Sequence, residues 1–204
     1  MSPRLTESES DADKGLNGYQ GCSRDGATVL PGGMITYVDY RQEKNKFLTE
    51  GQRLAQFQHP SIVKVFSLFE ENNTAYMVME FLRGKTLLKI VEEDGRLEET
   101  DAVAYIVQIA EALDVIHGSK VLHRDIKPEN IIITEEGRAV LVDFGTARKF
   151  AAGKTRRMTT TLTPGYAPLE QYGQRGRFGV FTDIYALGAT LYHLLTSSFQ
   201  VLLY

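Results

Sequence analysis

The chain has 204 residues, of which 43% are hydrophobic and 24% are charged, a composition typical of one soluble globular domain. A formal net charge of -3 gives no indication of a nucleic-acid-binding protein. Because Cys22 is the single cysteine, no disulfide can form within the chain, and we expect a cytoplasmic location. The four histidines lack the spacing of a zinc site. Ala189–Tyr204 is too short and too polar for a transmembrane helix, so no membrane segment is expected.

The sequence of the first half of the chain predicts a disordered tail followed by a few short helices and strands. Residues 1–20 have the polar composition of a disordered tail. The patterns then predict a strand at Met34–Tyr40, a helix at Phe47–Phe57, and two strands at Ile62–Phe69 and Thr74–Phe81. The polar residues of Glu70–Asn73 predict a turn that joins the last two strands.

The second half is mainly helical in pattern. The predicted elements are a helix from Thr100 to His117, strands at Asn130–Thr134 and Ala139–Phe144, a loop at 145–179 and a helix starting near Thr182. Thr100 is the predicted N-cap of the first helix, and Val103 is assigned to its apolar face. Ile184 is assigned to the apolar stripe of the last helix.

The stretch VLHRDIKPENIIITEEGRAVLVDFG, from 121 to 145, carries side chains suited to phosphoryl transfer. Asp125 stands two residues before Lys127 and five before Asn130, and Asp143 follows it after 18 residues. Such a transfer needs a group that orients the attacking hydroxyl, oxygen ligands for magnesium and a cation near the transferred phosphoryl group. These four side chains supply those groups.

The same residues resemble the motifs of the Hanks-type, eukaryotic-like protein kinases that are also found in bacteria. The triplet at 123–125 matches the HRD motif of that family, and the triplet at 143–145 matches its DFG motif. The resemblance implies an α+β fold of two lobes, ATP and Mg²⁺ as cofactors, and a protein substrate. Lys127 matches the form of this loop found in the kinases that phosphorylate Ser and Thr rather than Tyr.

The resemblance also implies a role for each matching residue. The catalytic residues would be Asp125 as the base, Lys127 and Asn130, with Asn130 and Asp143 as the magnesium ligands. The nucleotide would contact Glu50, Met79, Glu80, Leu82, Ile132 and Asp143. Structural roles would belong to His123, Arg124, Phe144, Gly145 and Asp183. Asp183 would hold the backbone of the catalytic loop. As an acidic residue near a helix N-terminus, it would also interact favourably with the helix dipole.

The segment from Thr163 to Glu170 resembles the substrate-docking end of the activation segment of the family. Where the family has Ala-Pro-Glu, this chain has Pro-Leu-Glu, so only Glu170 is kept. Arg124 can bind a phosphate and therefore suggests regulation by phosphorylation of this segment. Thr159 and Thr160 are the best-placed acceptors.

The sequence ahead of Glu50 departs from the family pattern, because it has neither the Gly-rich loop nor the V-A-I-K strand. We therefore expect a kinase domain truncated at both ends, with a disordered tail at 1–20, a partial small lobe at 21–82 and a partial large lobe at 83–204. Without the helices that follow LYHLLT in the family, Glu170 would be unpaired and the final helix would expose apolar surface.

Three hypotheses on function stay open. The first is a Ser/Thr protein kinase, the second a non-catalytic kinase-like binding module, and the third a phosphotransferase for small molecules. The intact Asp125, Asn130 and Asp143 argue against the second, whereas the absent Gly-rich loop and its Lys argue for it. Lys127 and the peptide-docking segment argue against the third. Glu50 could also be an exposed helix carboxylate rather than the partner of a strand Lys.

Overall fold

The structure, a computed structural model, describes residues 22–25, 28–31, 36–144, 148–149, 163–172 and 178–198. The chain divides into two compact units. The first unit comprises residues up to Arg53 together with Val65–Met79, and the second comprises Leu54–Lys64 together with the chain from Glu80 onward. The lobes predicted at 21–82 and 83–204 stay a prediction, and these compact units place Leu54–Lys64 and Glu80–Leu82 in the second unit. The tail at 1–20, Gly145, Thr159 and Thr160 lie outside the described residues.

The first unit contains two antiparallel hairpins and a helix. Its elements are β1 (Cys22–Asp25), β2 (Thr28–Pro31), α1 (Tyr37–Leu54, whose last residue already belongs to the second unit), β3 (Val65–Glu71) and β4 (Thr74–Met79). A small core of Val29, Tyr40 and Ala75 is buried, with Phe47 packed against it. The Asn73 side chain joins the two hairpins, since its amide nitrogen donates to the carbonyl of Val29 at 2.9 Å.

Helix α1 begins at Tyr37 because a polar cap precedes it. The Asp39 amide donates to the Thr36 hydroxyl oxygen at 3.1 Å, and that hydroxyl donates to the Asp39 carboxylate at 2.6 Å. These bonds satisfy one of the amides that a helix N-terminus leaves without partners. The predicted strand at Met34–Tyr40 is therefore wrong from Tyr37 onward, and the predicted helix starts earlier than expected.

The hairpin of β3 and β4 closes through a two-residue turn. Glu71 pairs with Thr74, and Asn72 and Asn73 between them have φ angles of 52° and 61°. A two-residue turn with two positive φ angles matches the twist of the flanking strands, and Asn tolerates that conformation. The turn predicted at Glu70–Asn73 exists, but β3 continues through Glu71.

The second unit contains most of the helices. Its elements are β5 (Gly84–Thr86), α2 (Leu87–Asp94), α3 (Glu99–Gly118), β6 (Val121–Leu122), a 3₁₀ turn (Pro128–Asn130), β7 (Ile131–Thr134), β8 (Ala139–Leu141), β9 (Arg148–Lys149), α4 (Leu169–Tyr172) and α5 (Val180–Thr196). Strand β7 lies between β5 and β8 in an antiparallel sheet, and β6 pairs with β9. The predicted α+β class is confirmed.

Helix α3 differs from its prediction at the N-terminus. It starts at Glu99 with Glu98 as the N-cap, so Thr100 lies inside the first turn and its assignment as N-cap is wrong. Ala102 is fully buried whereas Val103 is 42% exposed, so the buried face is rotated from the predicted one. The pattern misled because the valines of this helix, Val103, Val107 and Val115, are apolar in sequence but exposed in the structure.

Helices α3 and α5 pack together and form the core of the second unit. Ile109, Leu113 and Ile116 of α3 are fully buried, as is Leu194 of α5. The outer face of α5 is different, since Ile184 there is 51% exposed although it was assigned to the apolar stripe, and Val180, Phe181 and Tyr192 are also exposed. Within the described ranges, no helix has both the length and the apolar character needed to span a bilayer.

We predict that Thr86→Ala lowers the free energy of unfolding by about 1 kcal/mol, because the Thr86 hydroxyl caps α2. That oxygen accepts a hydrogen bond from the Lys89 amide at 3.2 Å. Urea denaturation of the variant measures the loss, and Thr86→Ser is the control because it keeps the hydroxyl. Equal losses in both variants would contradict the capping role.

Candidate active site

The loop that follows β6 carries three of the predicted catalytic side chains. Pro128 begins the 3₁₀ turn, where its fixed φ suits a helical start, and the Asn130 amide donates to the carbonyl of Lys127 at 3.0 Å. This turn folds the loop back, so that Asn130 reaches Asp125. Its side-chain amide nitrogen donates to the backbone carbonyl of Asp125 at 2.8 Å and to the carboxylate Oδ2 at 3.0 Å.

The Asp125 carboxylate is held by partners on both of its oxygens. Oδ2 lies 3.1 Å from the Lys127 ammonium, and Oδ1 accepts from the Thr163 hydroxyl at 2.8 Å. The same hydroxyl oxygen accepts from Lys127 Nζ at 3.1 Å. Carboxylate, ammonium and hydroxyl therefore form a closed arrangement, which fixes the direction in which the carboxylate points.

Thr163 reaches this position because a tight turn follows it. The amides of Tyr166 and Ala167 donate to the Thr163 carbonyl at 3.2 and 3.1 Å. Gly165 has a φ of 89°, a conformation that a side chain would disfavour. The Thr-Pro-Gly-Tyr sequence thus supplies the turn that presents the Thr163 hydroxyl to Asp125.

Asp183, at the start of α5, holds the backbone of the catalytic loop. Its carboxylate is fully buried and accepts from the amide of His123 at 2.9 Å and from the amide of Arg124 at 2.7 Å. His117 Nε2 lies 2.7 Å from the same carboxylate. Arg124 has a φ of 70°, which is strained for a residue with a side chain, and the two bonds from Asp183 hold the backbone in that conformation.

His123 packs against Phe144, the residue that follows Asp143. Their rings meet edge to face with centroids 4.6 Å apart, and Phe57 lies 6.3 Å from Phe144 on the centroids. Burial lowers the pKa of His123, although the carboxylates of Asp183, Asp125 and Asp143 act in the opposite direction. A neutral His123 is therefore part of the packed core beneath the catalytic loop.

Arg124 is a buried residue of the catalytic loop, with its guanidinium carbon 5.3 Å from the centroid of the Phe178 ring. Its backbone carbonyl accepts from the side-chain amide of Gln171 at 3.2 Å. Gln171 and Phe178 were missed by the sequence reasoning, because neither belongs to a recognised motif. Helix α4 positions Gln171, which places the end of the docking segment against the loop.

Glu170 has a partner, so the expectation that it would be unpaired is wrong. Its carboxylate accepts from the Thr182 hydroxyl at 3.0 Å. Thr182 is buried in the first turn of α5, and its oxygen also accepts from the Gly179 amide at 3.4 Å. The short helix α4 and the start of α5 are thereby connected through a side-chain hydrogen bond that sequence spacing gave no means to predict.

A buried polar pair joins the docking segment to α5. The Tyr166 hydroxyl is hydrogen-bonded to Nδ1 of His193 on α5, and both residues are buried. Burial raises the pKa of Tyr166 and lowers the pKa of His193, while the carboxylates of Glu129 and Glu92 act to raise that of His193. The pair could not be predicted from the sequence, because its members are 27 positions apart.

The nucleotide-contacting residues predicted from the resemblance are divided between the two units. Glu50 lies on α1 and Met79 is the last residue of β4, both in the first unit. In the second unit, Glu80 and Leu82 lie in the irregular segment before β5. Ile132 is half-buried, on the face of β7 opposite to that of the buried Ile131 and Ile133. The structure thus brings the side chains predicted to be catalytic together with Thr163, whereas Glu50 and Met79 belong to the other unit.

The two residues that the resemblance assigns to magnesium, Asn130 and Asp143, carry the oxygen atoms that such an ion prefers as ligands. The backbone amide of Val142 donates to the carbonyl of Asn130 at 2.9 Å. Asp143 is the next residue after Val142 in the chain. Because the Asn130 amide nitrogen donates to Asp125, its side-chain oxygen is the atom that can face a cation. Magnesium takes one or two protein oxygens and completes its shell with phosphate and water. Among the described residues, no group of three or more His, Cys, Asp or Glu could hold a metal.

Comparison with known proteins identifies the family. Residues 32–201 match the protein kinase domain. The chain belongs to the protein kinase family. A probable serine/threonine-protein kinase of Clostridium perfringens is 33% identical over 153 residues, which is 74% of this chain and 22% of that protein. The serine/threonine-protein kinase PrkC of Bacillus subtilis is 32% identical over 165 residues, 79% of this chain and 26% of that protein.

A plant kinase is similar to the same degree. The 3-phosphoinositide-dependent protein kinase 1 of Arabidopsis thaliana is 33% identical over 156 residues, 71% of this chain and 31% of that protein. The chain therefore spans less than a third of the length of these relatives. The predicted resemblance to the Hanks-type Ser/Thr protein kinases is confirmed.

We predict that Asp183→Asn lowers the free energy of unfolding by about 3 kcal/mol, because the amide group of Asn would face one of the two backbone amides without accepting from it. Urea denaturation measures the change. Asp114→Asn is the matched control, since it removes the same charge from an exposed position on α3. Similar losses in the two variants would contradict the bracing role of Asp183.

We predict that the chain loses stability below about pH 6.5, the ordinary pKa of histidine. Because burial lowers the folded-state pKa of His123 and His193, the unfolded chain takes up protons first as the pH falls. Their contribution is fully present above that pH, and each histidine can cost at most about 1.4 kcal/mol per pH unit below it. Denaturation of the parent and of His193→Asn, which can still bond Tyr166, measures the effect. The variant should show the shallower pH dependence, and an unchanged slope would contradict the account.

Proposed function

We propose that this chain is the catalytic part of a Ser/Thr protein kinase, which transfers the γ-phosphate of ATP to Ser or Thr hydroxyls of proteins. The observation that carries the proposal is the arrangement of Thr163, whose hydroxyl lies between the Asp125 carboxylate and the Lys127 ammonium. A group that accepts a hydroxyl proton beside a fixed cation is what this transfer requires. The names of the similar kinases support the same substrate class.

In this proposal the Asp125 carboxylate orients the attacking hydroxyl and takes its proton. The substrate oxygen forms a bond to the γ-phosphorus while the bond from that phosphorus to the bridging oxygen breaks, and ADP leaves. Lys127 balances the charge of the transferred group. Asn130 and Asp143 would hold Mg²⁺, which neutralises charge on the phosphates when it is bound.

The nucleotide base is proposed to bind at the segment that contains Glu80 and Leu82, over Ile132. The half-buried Ile132 offers an apolar surface of the kind on which a base can pack.

The proposal also includes a cytoplasmic location, which is expected from the cysteine usage. It further includes phosphorylation of Thr159 and Thr160. Mass spectrometry of active protein tests the phosphorylation, and an unmodified segment would exclude it.

We predict that Asp125→Asn lowers transfer from labelled ATP to a generic protein substrate at least about 100-fold, because it removes the proton acceptor. Asp143→Ala should abolish transfer through loss of a magnesium ligand. Asp114→Asn, exposed on α3, should retain the parent rate. Phosphoamino-acid analysis should find phosphoserine and phosphothreonine but no phosphotyrosine.

The outcomes separate the hypotheses on function. Equal signals from the parent and from Asp143→Ala would remove the claim that this chain catalyses the transfer. ATP binding without any transfer would favour the non-catalytic binding module. Transfer to small alcohols but not to proteins would favour the small-molecule phosphotransferase.

A further inference from the structure

Arg138 connects two segments of the second unit that are distant in sequence. Its Nη2 lies 2.7 Å from the Glu80 carboxylate, and its Nη1 donates to the backbone carbonyl of Pro60 at 2.8 Å. The side chains of Arg138 and Glu80 are only 33% and 27% exposed, so the ion pair is partly shielded from water. The two ends of one planar guanidinium thus hold the segment at Glu80 and the segment at Pro60 together.

The backbone of Arg138 is itself fixed by the turn between β7 and β8. The Thr134 amide donates to the Arg138 carbonyl at 2.9 Å, and the Arg138 amide donates to the Thr134 hydroxyl at 3.3 Å. Gly137, directly before Arg138, has a φ of 78°, which allows this tight turn. The guanidinium therefore projects from a rigid hairpin rather than from a flexible loop.

Glu80–Arg83, here called the adenine segment, has no regular secondary structure of its own. The Glu80 amide donates to the carbonyl of Lys64 at 2.8 Å, and the carbonyl of Arg83 accepts from the Glu135 amide at 3.0 Å. Phe81 between them is 86% exposed, so packing contributes little there. The ion pair to Arg138 adds a side-chain restraint at the end of the segment that Lys64 also holds.

The segment around Pro60, which accepts the other hydrogen bond from Arg138, is itself held by backbone hydrogen bonds. The Leu141 amide donates to the carbonyl of Ser61 at 2.9 Å, and the Val63 amide donates to the carbonyl of Leu141 at 3.1 Å. Both bonds tie the segment to β8, the strand that directly follows Arg138. The guanidinium is thus bound to two partners, one of which is already fixed to the same hairpin.

We infer that Arg138 is a positioning residue for nucleotide binding, which holds the adenine segment through Glu80 so that its backbone keeps the geometry that the base needs. The inference rests on the proposed function, because it assumes that the base binds at Glu80 and Leu82. Arg138 touches neither nucleotide nor substrate in this account. A Lys at 138 could pair with Glu80 but could not reach both partners with a planar fork.

The test compares binding of adenosine, ATP and pyrophosphate to the 204-residue chain by calorimetry. We expect Arg138→Gln to weaken adenosine and ATP about three- to tenfold, as for loss of one partly shielded charged contact, and to leave pyrophosphate unchanged. Arg138→Lys should give an intermediate loss. Lys85→Gln, the matched control, removes the exposed ion pair with Glu93 and should change none of the three affinities.

Glu80→Gln is a second variant that removes the same ion pair from the other side. It should weaken adenosine to a similar degree, and combining it with Arg138→Gln should add little, because both remove one interaction. Equal adenosine affinity in the parent, Arg138→Gln and Glu80→Gln would overturn the inference. So would an equal loss for adenosine and pyrophosphate, which would indicate general destabilisation.

Hydrogen exchange separates a failure of this inference from a failure of the proposed function. If the parent chain binds no nucleotide, the proposed function fails for this chain, but exchange of the amides at 80–83 still tests the restraint. Faster exchange there in Arg138→Gln than in Lys85→Gln would support the role of Arg138 in holding the segment. Unchanged exchange would overturn it.

Discussion

The catalytic loop depends on one buried carboxylate. Asp183 would be costly to bury as an isolated charge, and that cost is offset by the amides of His123 and Arg124 and by the imidazole of His117. The hydrogen bonds from these two backbone amides hold the loop in a strained conformation that it would not keep alone. The position of Asp125, one residue later, follows from this restraint.

Other contacts extend this fixed geometry through the second unit. The side-chain amide of Asn130 donates hydrogen bonds to Asp125, and its backbone carbonyl accepts one from Val142. These contacts join the loop to the residue that follows β8. The hairpin of β7 and β8 then carries Arg138, whose guanidinium reaches Glu80. Residues proposed for proton transfer and for binding the base are thus attached to one hairpin, which explains how a short loop can hold several groups in register.

The sequence predicted best those features that are local in the chain. The catalytic loop could be recognised because its residues stand within a few positions of one another. The capped start of α1 at Thr36 was missed because the apolar spacing becomes helical only later, and α2 was missed because eight residues are too few for a clear period. The pair of Tyr166 and His193 and the bond from Thr182 to Glu170 join distant positions, so only the folded chain shows them.

The most direct measurement is the rate of γ-phosphate transfer by Asp183→Asn, at a temperature where circular dichroism shows it to be folded. If the carboxylate fixes the loop that carries Asp125, kcat should fall about tenfold or more, because a small displacement of a catalytic group is costly. KM for ATP should stay within about a factor of two, since the proposed base-binding segment at Glu80 is held by other contacts. A folded variant with the kcat of the parent chain would show that the catalytic loop keeps its geometry without Asp183, and it would contradict this account.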